Sequence, residues 1–188
     1  MLDTFSNEEK QSLIEYAKKS ILAFFKSGKY PNYELVCPKR LCEKGNTYIE
    51  LFINGTIRGS MGNFNGDYSL INSVSRNSIG AAFEDPRSPK LTILEFHKLK
   101  IAVSILSPLT EISVSSSNDL INKFPKGLGI VLVSDKGRSV MMPHMWDNHK
   151  THESFLGELC LKAGFAKDSW INVKDKKFMI FESIFIKE

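Results

Sequence analysis

Thr47-Tyr48-Ile49-Glu50-Leu51-Phe52-Ile53-Asn54-Gly55-Thr56-Ile57-Arg58-Gly59-Ser60-Met61-Gly62 is the stretch that decides the fold. Its first seven residues crowd β-branched and aromatic side chains into a short window, which reads as a strand. Asn54-Gly55 supplies two residues that accept positive φ, the strongest short-range signal for a two-residue hairpin. The return strand begins at Thr56 and carries Arg58, Gly59, Ser60 and Gly62. An antiparallel pair is therefore expected, and the other segments are read by what they add to it.

Upstream, Ser6 and Glu9 form a capping-box pattern, each side chain placed to satisfy a free amide at the other's end of the first turn. Leu13, Ile14, Ala17, Ile21, Phe24 and Phe25 follow at helical spacing, and Gly28 stands where a left-handed cap belongs. Residues 30–46 read as irregular, holding Pro31, Pro38 and Gly45. Downstream, residues 68–83 read as a helix through Ile71, Val74, Ser75, Ser78, Ile79 and Ala82, and Pro86 disfavours helical geometry at Asp85. Thr92 and Glu95 make a second capping box. A buried strand is expected over 100–107, ended by Pro108, and a short helix over 119–124. Residues 128–133 and 139–142 read as hairpin strands around a loop at 134–138. A helix with Phe155, Leu156, Leu159 and Cys160 ends at Gly164, and residues 178–186 alternate as one last strand. Hairpins and helices mix without regular βαβ spacing, which points to an α+β fold, mostly an antiparallel sheet flanked by helices. Only Ser115-Ser116-Ser117 reads as a disordered loop.

The 188 residues carry a formal net charge of +4. The charges are interspersed, and the densest cluster, Lys174, Lys176 and Lys177, is interrupted by Asp175. That cluster suits a solvated turn or strand edge as well as a phosphate-binding patch, so no nucleic-acid partner is expected. Three cysteines cannot all pair within the chain, and Cys37 and Cys42 lack a second pair for a zinc site. Free thiols in a reducing cytoplasm are expected. Met1-Leu2-Asp3-Thr4 reads as the approach to a helix cap rather than a signal segment, and no apolar run reaches the ~18 residues a membrane span requires. The expectation is a cytoplasmic protein.

Three segments could carry chemistry. In Arg58-Gly59-Ser60-Met61-Gly62, the glycines allow close backbone approach, neighbouring amides could converge on an anion, and Arg58 adds a planar bidentate donor. A hairpin exit whose glycines solve a packing problem has the same appearance. In Glu84-Asp85-Pro86-Arg87-Ser88-Pro89, two carboxylates and an arginine are stiffened by two prolines. They read either as a polar cluster holding a ligand or metal or as a loop-closing ion pair, since carboxylates at a helix C-terminus need a compensating partner. His144, His149 and His152 lie within nine positions, with Asp147 as an oxygen ligand, but match no standard metal spacing, so no metal is assigned.

Several of these blocks resemble the AMMECR family. Ile57-Arg58-Gly59-Ser60-Met61-Gly62-Asn63-Phe64 is similar to its hallmark, which usually reads Leu-Arg-Gly-Cys-Ile-Gly-Thr. Ala81-Ala82-Phe83-Glu84-Asp85-Pro86-Arg87 with Pro89 and Leu91-Thr92 resembles the next block. Ile101 to Leu106, Gly127 to Val133, Met142-Pro143 and Phe155 to Phe165 follow in order. The resemblance implies a single AMMECR-type domain over residues 1–188, with a larger part, a smaller lobe and the hallmark near a cleft. It implies no established activity or cofactor. It also implies a shared pathway with a Memo-like protein and a radical S-adenosylmethionine enzyme. Departures are Ser60 in place of the hallmark cysteine, Ser88 in place of an aromatic, and Thr151 where tryptophan is common. A serine hydroxyl without a base is a far weaker nucleophile than a thiolate, so a family mechanism through that thiol would fail here.

The function expected is a noncatalytic binding or accessory protein, with Arg58, Gly59, Ser60, Gly62, Glu84, Asp85 and Arg87 as ligand-binding candidates. The alternative is an enzyme or enzyme component acting on a small polar or anionic substrate. No recognisable triad or metal set favours the enzyme.

Overall fold

In the computed structural model, which describes residues 4–33 and 38–188, the quoted stretch is a hairpin of β1 (Asn46–Ile53) and β2 (Thr56–Gly62) turning at Asn54-Gly55, both at positive φ. β3 (Lys100–Leu106) pairs antiparallel with the other edge of β1, and β8 (Ser183–Lys187) completes a sheet in the order β2-β1-β3-β8. A second four-stranded sheet, ordered β4-β7-β5-β6, contains β4 (Thr110–Ile112), β5 (Gly129–Ser134), β6 (Gly137–Met141) and β7 (Lys177–Phe181). The α+β class, with two antiparallel sheets flanked by helices, is the observed one.

The chain divides into two compact units. One holds the described residues up to Ser107 together with Ile184–Glu188, and the other holds Pro108–Ser183. In the first unit, α1 (Asn7–Ser27) carries both halves of its capping box and ends on Gly28 at φ 66°, as its sequence predicts. Leu13, Ala17 and Ile21 of α1 join Ile49, Leu51, Ile101 and Val103 of the sheet in one core. α2 (Leu70–Phe83) is buried almost all round, Arg76 being its one exposed position between Leu70 and Ala82. Such a helix needs polar partners, and Thr47 supplies them to Ser73 and Asn77. Ser73 Oγ lies 2.9 Å from Thr47 Oγ1, and Asn77 Nδ2 donates to Thr47 O at 3.0 Å and Thr47 Oγ1 at 2.8 Å. α3 (Ile93–Phe96) starts at the Thr92/Glu95 capping box.

In the second unit, α4 (Ser117–Lys123) and α5 (His152–Lys162) cover a core of Phe124, Phe155, Phe178, Leu132 and Leu159. Trp146 stacks on Phe155 with ring centroids 4.0 Å apart and donates Nε1–H to Leu128 O at 2.9 Å.

Several expectations need correction. Residues 178–186 are not one strand: the chain crosses at Glu182 from β7 in one sheet to β8 in the other, because both flanking runs alternate and no turn residue marks the break. Ser115-Ser116-Ser117 is ordered, with Ser116 capping α4 by accepting from Asp119 N and Ser115 donating to Asp119 Oδ2. The 134–138 loop shortens to a two-residue turn, since Ser134 pairs with Gly137. Cys42 is disulfide-bonded rather than free, because spacing alone cannot distinguish a bonded cysteine from a thiol. Cys160 is free and buried, and Cys37 and Met1-Leu2-Asp3 lie outside the described residues. Among the described residues no helix is long and apolar enough to cross a membrane.

Candidate functional site

The polar site of the first unit is built on the β1–β2 hairpin. Successive strand residues alternate faces, so Tyr48 and Glu50 share one face, and Ser60 joins them because it pairs directly with Glu50. Two glycines make this arrangement fit. A Cβ on Gly59 would lie 2.2 Å from Ala81 O, so its absence lets α2 pack against the β2 backbone. A Cβ on Gly62 would lie 2.5 Å from the Tyr48 ring, so its absence lets that ring lie across the strand.

With α2 docked on β2, its C-terminal extension meets Ser60. Ser60 N donates to Asp85 Oδ2 at 2.8 Å. Asp85 Oδ1 accepts from Arg87 N at 3.0 Å and Arg87 Nε at 2.8 Å, while Arg87 Nη2 donates to Asp85 Oδ2 at 2.8 Å. The same Nη2 donates to Ser60 Oγ at 2.7 Å, and Tyr48 donates to that oxygen at 2.8 Å. The Asp85 side chain is 3% exposed and that of Arg87 is 66% exposed, so a buried carboxylate orients a guanidinium whose remaining surface faces solvent. Arg87 Nη1 makes none of these bonds.

The electrostatics follow the contacts. The Arg87 hydrogen bonds, outweighing burial and assisted by the Ser60 amide, hold the Asp85 carboxyl down at about 2. Asp85 in turn raises Arg87. Burial, with the Glu50 charge adding to it, pushes the Tyr48 phenol above its ordinary value despite the Ser60 hydrogen bond. Tyr48 is therefore a neutral donor at neutral pH, and Ser60 Oγ already accepts two hydrogen bonds. Asp85 binds the Ser60 amide, so no base contacts the Ser60 hydroxyl through these bonds. The arrangement suits holding an oxyanion better than nucleophilic attack.

The other sequence candidates fall elsewhere. Register at Arg58 is broken by a bulge, since Leu51 pairs with Gly59 and Phe52 with Ile57. Arg58 donates Nε–H to Glu95 Oε1 at 2.8 Å, Nη2–H to Glu95 Oε2 at 3.2 Å and Nη1–H to Pro89 O at 2.8 Å. These bonds to Arg58, with the Thr92 amide, bring the Glu95 carboxyl down to about 2. Glu84 accepts a hydrogen bond from Tyr30, whose phenol burial and that bond raise to about 12. Ser60, Asp85 and Arg87 thus come together, while Arg58 and Glu84 serve separate pairs. Tyr48 and Glu50 were missed in sequence because strand register places them, with alternation on β1 as the only signal, and Glu95, read as a capping-box residue, owes its pairing with Arg58 to the fold.

His149 and His152 support packing. His149 Nδ1 lies 2.9 Å from Ser154 Oγ. His152 Nε2 lies 2.7 Å from the Phe124 carbonyl, which can only accept, so that nitrogen carries the proton and is no metal ligand. His144 sits in the 3-10 turn Pro143–Asn148. Among the described residues no three His, Cys, Asp or Glu side chains are grouped to hold a metal.

The family model described as AMMECR1 matches residues 14–185. A protein of Methanopyrus kandleri is 29% identical over 190 residues, covering 96% of this chain and 89% of the relative. One from Sulfurisphaera tokodaii is 36% identical over 132 residues, 65% of this chain and 56% of the relative. The crystal structure of an uncharacterized protein from Pyrococcus horikoshii superimposes with a TM-score of 0.86 at 25% identity, covering 96% of this chain and 92% of that one.

Proposed function

The chain belongs to the AMMECR1 family, and from that membership we propose that it is a noncatalytic binding or accessory protein that takes up a small oxyanion at Arg87 and Ser60. One observation carries the reading: Arg87 is two-thirds exposed while a buried carboxylate fixes its Nε and Nη2. A guanidinium fixed in this way loses little rotamer freedom when an anion arrives, and its Nη1, which makes none of those bonds, presents two N–H donors to a carboxylate or phosphoryl oxygen. Ser60, accepting from Tyr48 and Arg87, keeps its own proton to donate.

Thermal unfolding in rising phosphate and in rising acetate, at constant ionic strength, tests the proposal. Stabilisation that rises with the logarithm of ligand concentration above the dissociation constant is expected, reaching ~2.7 kcal/mol at a hundredfold excess over it. Arg87→Lys should weaken binding about tenfold by losing the Asp85 bonds that fix the donor, and Arg58→Ala should leave binding intact. Equal stabilisation of wild type and Arg87→Lys, or none in wild type, would remove the site. A Memo-like protein and a radical S-adenosylmethionine enzyme are the partners this reading puts forward. Co-purification tests them, and its failure would leave anion binding standing.

A further inference from the structure

The lysine cluster near the C-terminus has a second half that the sequence did not reveal. Lys174 and Lys176 line a cavity of about 390 Å³ in the second unit, together with Lys136 from the β5–β6 turn. Lys177 instead begins β7 and is exposed. Lysines from two turns far apart in sequence therefore face one space, which a merely solvated turn does not require.

The walls are shaped by local bonds. Lys176 N donates to Val173 O at 3.3 Å, closing a turn in which Asp175 takes φ 59°, an uncommon conformation for a non-glycine residue. Lys176 Nζ donates to Asn172 O at 2.7 Å and lies 5.4 Å from the centre of the Phe165 ring. Ser134 Oγ accepts from Lys136 N at 3.2 Å, which holds the facing turn. Phe165 packs against the unit's apolar core and lines the cavity, so the site has an aromatic wall supported from behind.

The charges restrict the occupant. Three lysines and two aspartates, Asp135 and Asp175, line the cavity, an excess of one positive charge. A polyphosphate would bring additional anionic groups against the carboxylates, whereas one phosphomonoester can sit among the ammonium groups. The volume lies within the ~300–1,000 Å³ range of small-molecule sites and leaves room beyond a bare phosphate. We propose that this cavity binds a small aromatic phosphomonoester, with its phosphate held by Lys136, Lys174 and Lys176 and its ring against Phe165.

Phenyl phosphate is the probe, titrated into the full chain by calorimetry and followed by amide chemical shifts. Saturable binding is expected, at least tenfold tighter than that of inorganic phosphate or phenol alone, with shifts at residues 134–136, 165 and 172–176. Lys136→Ala and Lys174→Ala replace exposed residues and should each weaken binding about tenfold. Absence of saturable binding overturns the proposal. So does equal affinity for inorganic phosphate, which would leave the ring without a role, or undiminished binding by both lysine variants, which would place the ligand elsewhere.

Discussion

Ser60 accepts a phenol and a guanidinium at one oxygen while its amide is held by the carboxylate that orients that guanidinium. Removing the charge of Asp85 should therefore be visible in the pH dependence of stability. Its folded carboxyl stands at about 2 against an ordinary 3.8, so its contribution is complete above about pH 4 and is lost as pH falls toward 2. Urea unfolding at pH 5 and pH 2 should show the wild type losing about 2 kcal/mol more than Asp85→Asn across that interval. Parallel losses would mean the carboxyl titrates normally. Gly59→Ala tests the docking of α2, because a methyl 2.2 Å from a backbone carbonyl cannot be relieved by rotating a side chain. A loss of about 2–3 kcal/mol in the urea midpoint analysis is expected. Sequence alone could mark these glycines and charges as unusual. It could not show that Asp85 rather than Glu84 turns toward β2, since adjacent carboxylates are equivalent until the helix end is placed.

Among the elements, those governed by local chemistry were legible and those governed by distant partners were not. Both capping boxes, the Gly28 cap and the Asn54-Gly55 turn form as read, because each depends on residues within three or four positions. β4, only three residues long, escaped notice because its identity as a strand comes from pairing with β7. The Arg58 bulge is likewise a property of two strands together. Through Arg58 this bulge is tied to Pro89 O and to Glu95 at the start of α3, in a pocket where its side chain is 15% exposed. Arg58→Ala should cost about 2–3 kcal/mol by leaving those acceptors unmatched. Arg58→Lys should recover less than half, since an ammonium cannot span the same fork. Full recovery by lysine in equilibrium denaturation would show that charge alone matters there.

At the scale of the whole molecule, Ile184–Glu188 complete the first unit. Ile186 enters its core at 9% exposure, and Lys18 pairs with Glu188. Deleting Ile184–Glu188 should therefore destabilise that unit by more than ~2 kcal/mol, the usual cost of losing a buried aliphatic side chain. A denaturation curve indistinguishable from wild type would show β8 to be an accessory edge. β8 lies beside β3, yet residues 107–182 intervene between them. During synthesis from the N-terminus, β3 consequently waits with one row of backbone groups uncovered until Ser183–Lys187 emerge. A ribosome stalled before Ser183 would hold a nascent chain with an open sheet edge, the stage at which a chaperone has most to protect.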